Sequence, residues 1–424
     1  MSREMKVGLS LFKSDFPALM PLWIAVFVDI LGFSILIPFL PFFGQEFGAP
    51  AWQIGLLLST NALFGFFSGP VWGSLSDRFG RKPMLLLAQA GTLAGFLLLA
   101  FSTSLEMMFL SRIIDGLFGG IYPIAKAVVG DVVPPSKRSE QMSNIGVAHV
   151  LSSLIGPGLG GMLSGLGIAA PGLMASALVL VAILMTHFRL KESNPMVTER
   201  RDSGVLSGAL PSGRAGAAQR QPSGSRQTVW QNGLARYLLV QWGFHALSFT
   251  VFMSNIALFA NLRLGLNAAE MGRLLMMAGI VRVIVRFAIF VPLRRRIGDR
   301  RTSLIGLGLF VPTYLLLGTV TNQLQFALVL VFVSFSAACS RGILNSFLSR
   351  TVKPWEQGAA MGLSASFDSF AQIAGPLIGG VVLGSMPIWV YGSIAALFSL
   401  GAFAMAWRPL RLGDEMEAAA AVSG

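Results

Sequence analysis

The chain alternates long apolar stretches with short polar ones along most of its length. An apolar run of about 20 residues is long enough to cross the hydrocarbon core of a bilayer as a helix. Lipid offers the backbone of such a run no partner outside its own helix. The pattern therefore predicts twelve transmembrane helices. They cover roughly residues 17–43, 52–72, 83–102, 107–130, 143–166, 170–187, 235–261, 269–292, 302–320, 324–350, 358–384 and 387–407.

A polar stretch interrupts this pattern after the sixth helix. Residues 192–227 are rich in Gly, Ser, Pro, Arg and Gln and have no helical period, which favours a flexible linker. The domain prediction follows from that break. It comprises an N-terminal six-helix half (1–190), a cytoplasmic linker (191–232), a C-terminal six-helix half (233–410) and a disordered tail (411–424).

The two halves repeat in sequence. The stretch GPGLGG at 156–161 recurs as GPLIGG at 375–380, an offset of 219, and Gly80 matches Gly298 at an offset of 218. Parallel duplicated halves around a central site are a known plan for transporters. The predicted fold class is an all-α membrane protein made of two six-helix parallel repeats.

Composition agrees with a membrane protein. Only 12% of the residues are charged and 54% are hydrophobic, whereas about 25% of a soluble domain is charged. The net charge of +13 would suit nucleic-acid binding, but the bases cluster in alternate loops. By the positive-inside rule this places both termini in the cytoplasm and excludes a nucleic-acid partner.

Other sequence features limit the function classes. The first apolar run is too long for a signal-peptide core, so it should stay as helix 1 of a multi-pass protein of the cell membrane. The single cysteine, Cys339, excludes an internal disulfide and a CxxC metal site. With no nucleotide-binding loop or catalytic motif, we expect neither an enzyme nor a metal or other cofactor, and energy from an ion gradient.

Helix 1 contains an acid, Asp29, near its middle. At that depth an ionisable side chain costs about 2.5 to 3.5 kcal/mol on insertion scales. Burial favours the protonated carboxyl and a nearby arginine favours the ionised one. If Asp29 lies near Arg112 and opens alternately to the two sides, it can load and release a proton. The alternative is a permanently ionised structural partner of Arg112.

Helix 4 contains a stripe of polar residues. At 100° per residue, Arg112, Asp115, Gly119, Tyr122 and Lys126 share one face. Buried ionisable groups in a membrane span usually mark a substrate or proton path, although Arg112 and Asp115 could also form a purely structural pair.

The remaining interior charges lie in the C-terminal half: Arg282, Arg286, Arg341 and Asp368. Asp368 and Arg282 lie at similar depth, which predicts that they pair. Together with helices 1 and 4, the count is five bases against three acids, so a positive excess remains. We therefore expect an anionic group of the substrate between Lys126 and Arg341, walled by Phe33 and Tyr122. Alternatively, both bases pair with acids or reach water by snorkelling.

Several stretches resemble one family. GSLSDRFGRKP (73–83) resembles the loop signature of the major facilitator superfamily, and GPGLGG resembles the antiporter signature of its drug:proton branch. Asp29, Gly32, Pro38 and Pro41 have the spacing of tetracycline-resistance-type pumps. The resemblance implies proton coupling by Asp29 with Arg112 and Asp115. It also implies a cytoplasmic gate made of Gly73, Asp77, Arg78, Gly80, Arg81, Asp131 and Arg138, and an antiporter motif made of Gly156, Pro157, Gly160 and Gly161.

The residues alone allow plainer readings of these motifs. The 73–83 loop could merely set topology, although that explains its bases and not Asp77. The motif glycines could simply let helices approach closely. In the second copy, VPLRRRIGDRR, Arg295 stands where Asp77 would align. We therefore expect a complete gate only in the N-terminal half.

The sequence also departs from tetracycline pumps, which would have a histidine in helix 8 and an acid in helix 9. Here helix 8 has arginines and helix 9 has no acid. We expect a monomeric, proton-coupled transporter in the lipid bilayer that exports small amphipathic molecules by alternating access. Two alternatives stay open. One is uptake or facilitated transport of an endogenous organic anion, and the other is a non-transporting membrane sensor or scaffold with the same fold.

Overall fold

A computed structural model describes residues 19–36, 38–167, 169–194, 225–353 and 356–407. Within these ranges helices are joined by short turns, and no strand occurs. The helices are α1 Met20–Leu36, α2 Leu40–Glu46, α3 Ala51–Phe79, α4 Arg81–Ala100, α5 Leu105–Leu117, α6 Ile121–Val132, α7 Pro135–Ser164, α8 Ala169–Arg189, α9 Ser225–Gln231, α10 Gly233–Leu264, α11 Ala268–Ile284, a π-helix Val285–Phe290, α12 Val291–Leu317, α13 Gln323–Thr351, α14 Gln357–Ser385 and α15 Trp389–Trp407.

The predicted all-α membrane class is confirmed. In the described part of the chain, nine helical stretches are long and apolar enough to cross a membrane, and the bent pair α1 and α2 makes ten. Two predicted spans, 269–292 and 302–320, fall in the single stretch Ala268–Leu317. The predicted fifth span, 143–166, falls almost wholly in α7, which is not among the nine. The count of twelve stays a prediction.

Helices bend where the sequence supplies proline or glycine. The predicted first helix is in fact α1 and α2, which meet at 43°, and Pro41 lies in the first turn of α2. Proline disfavours helical geometry in the residue before it, so a break here follows from Pro38 and Pro41. Gly298 interrupts α12 with φ of 81°, and its repeat partner Gly80 has φ of 105°. Both positions require the left-handed freedom of glycine.

The chain divides into two compact units. The first unit comprises Met1–Ala49, Thr60–Gln219 and Asn267–Met276, and the second comprises Pro50–Ser59, Arg220–Leu266 and Met277–Gly424. The predicted boundaries at 190, 232 and 410 stay a prediction. Residues 408–424, which include the predicted tail, lie outside the described residues.

In the first unit, the antiporter-like motif is a packing surface. Gly156 and Gly160 of α7 face α1, where an added Cβ would collide with the backbone of Ser34 and Ile35 respectively. The contact extends along both helices, since the Ser152 hydroxyl donates to the carbonyl of Phe27. Glycine lets the two backbones approach this closely.

The rest of the motif, and its second copy, pack in the same manner. Gly272 of α11 lies against Gly161 and the carbonyl of Pro157, inside the first unit. In the second unit, Gly379 of α14 lies against Asn255 of α10. Each half thus uses its repeated glycines to hold its fifth helix against its first.

The predicted linker is partly helical. Residues 195–224 lie outside the described residues, but α9 occupies the last part of the predicted segment. Val229 of α9 is fully buried against Leu239 and Leu348 in the second unit. Asn232 then caps α10 by accepting hydrogen bonds from two backbone N–H groups at 3.1 Å. The stretch predicted to be flexible, 192–227, overlaps α9 by its last three residues, and the apolar anchor and the helix cap lie beyond it, so its flexibility stays a prediction.

Candidate transport site

A buried ion pair lies on α5. Arg112 Nη1 is 3.3 Å from Asp115 Oδ2, and the two residues are 1% and 7% exposed. Asn61 of α3 donates its amide to the same carboxylate oxygen at 2.7 Å. A buried charge is tolerated only when it is paired and hydrogen-bonded, and Asp115 has both kinds of partner. The pair therefore links α5 to α3 inside the first unit.

The arginine of this pair has spare hydrogen-bonding capacity. Arg112 Nη2 is buried and has no hydrogen-bond partner among the described residues. Its guanidinium lies over the Phe96 ring, 5.6 Å from the centroid. Asp29 of α1 lies within electrostatic reach of Asp115. The structure thus gathers the three predicted coupling residues, but with Asp115, and not Asp29, as the observed partner of the arginine.

The predicted helix 4 consists of two helices, α5 and α6, which together form one candidate membrane span, Leu105–Val132; that its polar residues share one face stays a prediction. The break follows Phe118, at Gly119 and Gly120, which are poor helix formers. Neighbouring α3 satisfies the carbonyls that the break frees: the Ser68 hydroxyl donates to Gly116 O, and the Trp72 indole donates to Leu117 O.

The two ends of the stripe therefore have different surroundings. Tyr122 and Lys126 on α6 are exposed, unlike the pair on α5. Lys126 Nζ lies 4.2 Å from the centroid of the Tyr122 ring, a cation–π distance. Phe33, the other predicted substrate contact of this unit, is half-buried on α1.

A second ion pair lies in the second unit. Arg341 of α13 and Asp368 of α14 approach to 3.3 Å, with half of the arginine side chain exposed. The Arg341 guanidinium also lies over Trp242, 5.4 Å from the ring centroid. The predicted Arg282–Asp368 pair is therefore wrong. Equal depth along two helices does not fix the direction in which the side chains point.

The predicted gate is centred on Arg81, at the start of α4. Its guanidinium contacts Asp77 at 2.6 Å, Asp131 at 2.8 Å and the Ser76 hydroxyl at 2.7 Å. Three elements, α3, α4 and α6, therefore meet on one buried arginine. Gly80 precedes it with a positive φ, which turns the chain from α3 into α4.

The other predicted gate residues lie around this centre. Arg138 donates to the carbonyls of Val133 and Gly130 at 2.9 and 2.7 Å, so it caps the end of α6, where a cation suits the helix dipole. Arg78 lies over the Phe79 ring. Gly73 has no described atom within 4 Å of an added Cβ.

Glu192, which the sequence analysis did not single out, lies on the gate. Its carboxylate accepts the backbone N–H groups of Arg81 and Lys82, at 2.8 and 3.1 Å. It also accepts those of Ser193 and Asn194, both at 3.0 Å. The first N–H groups of a helix have no partner within that helix, and Gly80 has no side chain to supply one. The signal in the sequence was an acid five residues after the predicted sixth span, 170–187.

The second copy of the loop also contains ion pairs, while a complete gate only in the N-terminal half stays a prediction. Asp299 pairs with Arg294, and Arg350 Nη2 lies 3.7 Å from its other oxygen. Asp299 matches Arg81 at the repeat offset of 218, and Arg350 matches Asp131 at 219. For this one pair the charges are exchanged between the copies, whereas Arg294 matches Ser76 and not Asp77. Looking only for an acid at the position of Asp77 could not reveal this pair.

The described residues contain no cluster of three or more His, Cys, Asp or Glu side chains that could hold a metal ion. A family model described as Major Facilitator Superfamily matches residues 22–291 and 244–421. The chain belongs to this superfamily. The resemblance to this superfamily, which we inferred from the 73–83 loop and from helix 1, is thus confirmed.

Named relatives place it among transporters. The chain is 25% identical over 359 residues to the class H tetracycline resistance protein of Pasteurella multocida, covering 83% of this chain and 85% of that one. It is 28% identical over 360 residues to multidrug resistance protein 2 of Bacillus subtilis, covering 84% and 86%. The crystal structure of the human organic anion transporter MFSD10 has the same fold, with a TM-score of 0.63, 23% identity and coverage of 92% and 98%.

These findings establish the broad function. The protein is a multi-pass membrane transporter of small molecules and not an enzyme.

Proposed function

We propose that the protein is a proton-coupled exporter of small amphipathic molecules in the cell membrane, with both termini in the cytoplasm. It works by alternating access as a monomer. The supporting observation is the buried cluster of Arg112, Asp115 and Asn61 with Asp29 nearby. Ionisable groups inside a membrane are costly and usually mark a proton or substrate path. Relatives named for tetracycline and multidrug resistance support export.

In this proposal Asp29 is the proton carrier and Arg112 its alternating partner. Asp115 accepts from Nη1 of the guanidinium, while the buried Nη2 has no hydrogen-bond partner among the described residues and can donate to a second acceptor. When Asp29 is ionised, its carboxylate accepts a hydrogen bond from Arg112 Nη2. When Asp29 is protonated, this contact is released. Moving the Asp29 proton between the two sides of the membrane then drives substrate the other way. Phe33, Tyr122, Lys126 and Arg341 are the proposed substrate contacts.

The test uses purified protein in proteoliposomes with an imposed pH gradient. Asp29→Asn mimics the protonated carboxyl, so we expect substrate binding to survive while gradient-driven transport falls at least tenfold. Glu46→Gln is the matched control, because Glu46 is an exposed acid at the end of α2, and it should transport like the wild type. Undiminished proton-driven transport in Asp29→Asn would assign coupling elsewhere, with Asp115 and Asp368 tested next.

We also propose that the Arg81 network is the cytoplasmic gate. Arg81 joins residues of α3 and α6 to the start of α4, so breaking its ion pairs frees these helices to move. The pairs are partly solvated, so each contributes modestly. A weak latch suits a gate that must open in every transport cycle.

Transport of an organic anion is the second candidate. Two observations favour it: among the described residues of the second unit, Arg341 pairs with one acid while Arg282 lies nearby, and one relative of the same fold is an organic anion transporter. Exchange of labelled anions without proton movement would support this candidate. Proton-driven extrusion of cationic and neutral amphiphiles would support the exporter.

A further inference from the structure

Among the side chains that the structure describes in the second unit, Arg282, Arg341 and Asp368 are charged groups inside the predicted spans. Asp368 pairs with Arg341 at 3.3 Å, and no ion pair of Arg282 on α11 occurs among the described residues. Arg282 Nε is buried and has no hydrogen-bond partner there. An ionised group that is withdrawn from water without a counter-charge is unfavourable, and Arg282 is only partly exposed, so a bound anion would stabilise this guanidinium.

The backbone brings the two arginines to a similar level. The Ser334 hydroxyl of α13 donates to the carbonyl of Ala278 on α11 at 3.2 Å. From that contact, Arg282 lies four residues further along α11 and Arg341 seven residues further along α13. At 1.5 Å per residue these steps are about 6 and 10 Å. The positive charges are close enough to repel each other.

Local geometry supports a site at this level. The π-helix Val285–Phe290 begins just after Arg282, and such segments are frequent at functional sites. It packs on α13, since Phe290 contacts Cys339 and Ile343. The Trp242 ring lies beneath the Arg341 guanidinium, so an apolar wall lies beside the charges.

We propose that Arg282 and Arg341 form an anion-binding site inside the second unit, which holds the carboxylate or phosphate group of the transported molecule. Trp242 contacts the apolar part of that molecule. Asp368 holds Arg341 in the empty site and competes with the incoming anion. This inference rests on the proposed transport function and names the substrate class and the residues. It replaces Lys126, which belongs to the other unit, by Arg282 as the second cation.

The test compares two probes that differ in charge, 1-naphthylacetate and 1-naphthylmethylammonium, by equilibrium binding to the purified full chain. We expect the wild type to prefer the anion. Arg282→Gln should weaken anion binding by about 10- to 100-fold, the range for losing a charge-assisted contact, and Arg282→Lys should retain part of it. Arg273→Gln is the matched control, since Arg273 is an exposed arginine on the same helix.

Asp368→Asn separates a binding role from a structural one. Removing the competing carboxylate should tighten anion binding severalfold, whereas a merely structural ion pair predicts weaker binding. Wild-type anion affinity in Arg282→Gln, or anion binding weakened in Asp368→Asn, would overturn the site. Loss of probe binding in nanodiscs of anionic lipid, but not of zwitterionic lipid, would also overturn it by assigning the arginines to lipid headgroups.

Transport measurements keep the two proposals apart. If the wild type extrudes amphiphiles against a pH gradient but does not prefer the anion, the exporter stands and the anion site fails. If anion binding depends on Arg282 while the pH gradient drives no transport, the site stands and proton-coupled export fails.

Discussion

Replacing Glu192 tests whether the segment after α8 stabilises the gate. Its carboxylate accepts four backbone N–H groups, two from the first turn of α4 and two from its own turn. Glu192→Ala leaves the Arg81 and Lys82 N–H groups without a protein partner. Losing a helix cap costs about 1 to 2 kcal/mol, and hydrogen bonds to a charged group contribute about 1.5 to 3 kcal/mol each. Because Glu192 is partly exposed, water replaces some of this, and we expect a loss of about 2 kcal/mol.

Thermal unfolding in detergent measures this loss. For a domain of 150 to 250 residues, 1 kcal/mol corresponds to about 2 to 4 °C, so Glu192→Ala should lower the midpoint by about 4 to 8 °C. Glu192→Gln keeps one acceptor oxygen and gives up mainly the bond from Lys82, so its shift should be about half as large.

Lys191→Ala is the control, because the neighbouring lysine is exposed. It should leave the midpoint within about 1 °C of the wild type, well below the shift of a lost cap. If Glu192→Ala behaves like Lys191→Ala, the four hydrogen bonds do not stabilise the start of α4, and the assignment of Glu192 as its cap is wrong.

Three further predictions concern the gate and the topology. Asp77→Asn should cut transport severalfold with normal expression, and wild-type turnover would argue against a gate. Arg350→Asp should destabilise the second unit by up to about 1 kcal/mol. Asp299→Arg added to it should restore only the part that the 299–350 pair contributes, because Arg294 then faces a second cation, whereas fully additive losses would refute the pair. An impermeant thiol reagent on intact cells should label Glu46→Cys but not Lys191→Cys, with buried Cys339 unreactive in the parent. Labelling of Lys191→Cys would contradict the predicted topology, in which residue 191 lies in the cytoplasm.

The fold class could be predicted because lipid permits few solutions. An apolar run of sufficient length must be helical in a bilayer, whichever side chains it contains. The repeat could be found for a related reason, since an added Cβ would collide with the Ile35 carbonyl at Gly160 and with the Asn255 side chain at Gly379. Such requirements act on residue type and spacing, which a sequence displays directly.

Side-chain partners were harder to predict because they depend on directions that a sequence does not display. The depths of Asp368 and Arg282 suggested a pair, yet Asp368 turns towards Arg341. The break at Gly119 was hidden because apolar residues continue through it. Glu192 escaped notice because its partners are backbone N–H groups, which every residue except proline offers.

The two loops show that helix pairing and membrane topology place different requirements on the loop charges. In the first unit the central residue is Arg81, and in the second it is Asp299, with Arg350 at the position of Asp131. The Coulomb energy of a pair is unchanged when its charges are exchanged, so Asp299 with Arg350 can join α12 to α13 as Arg81 with Asp131 joins α4 to α6. The positive-inside rule depends on the surplus of bases near the spans, and the second loop keeps that surplus in Arg295, Arg296, Arg300 and Arg301. Membrane topology and helix pairing thus place independent requirements on the charges of these loops. Asking whether the second copy has an acid at the position of Asp77 tests neither requirement.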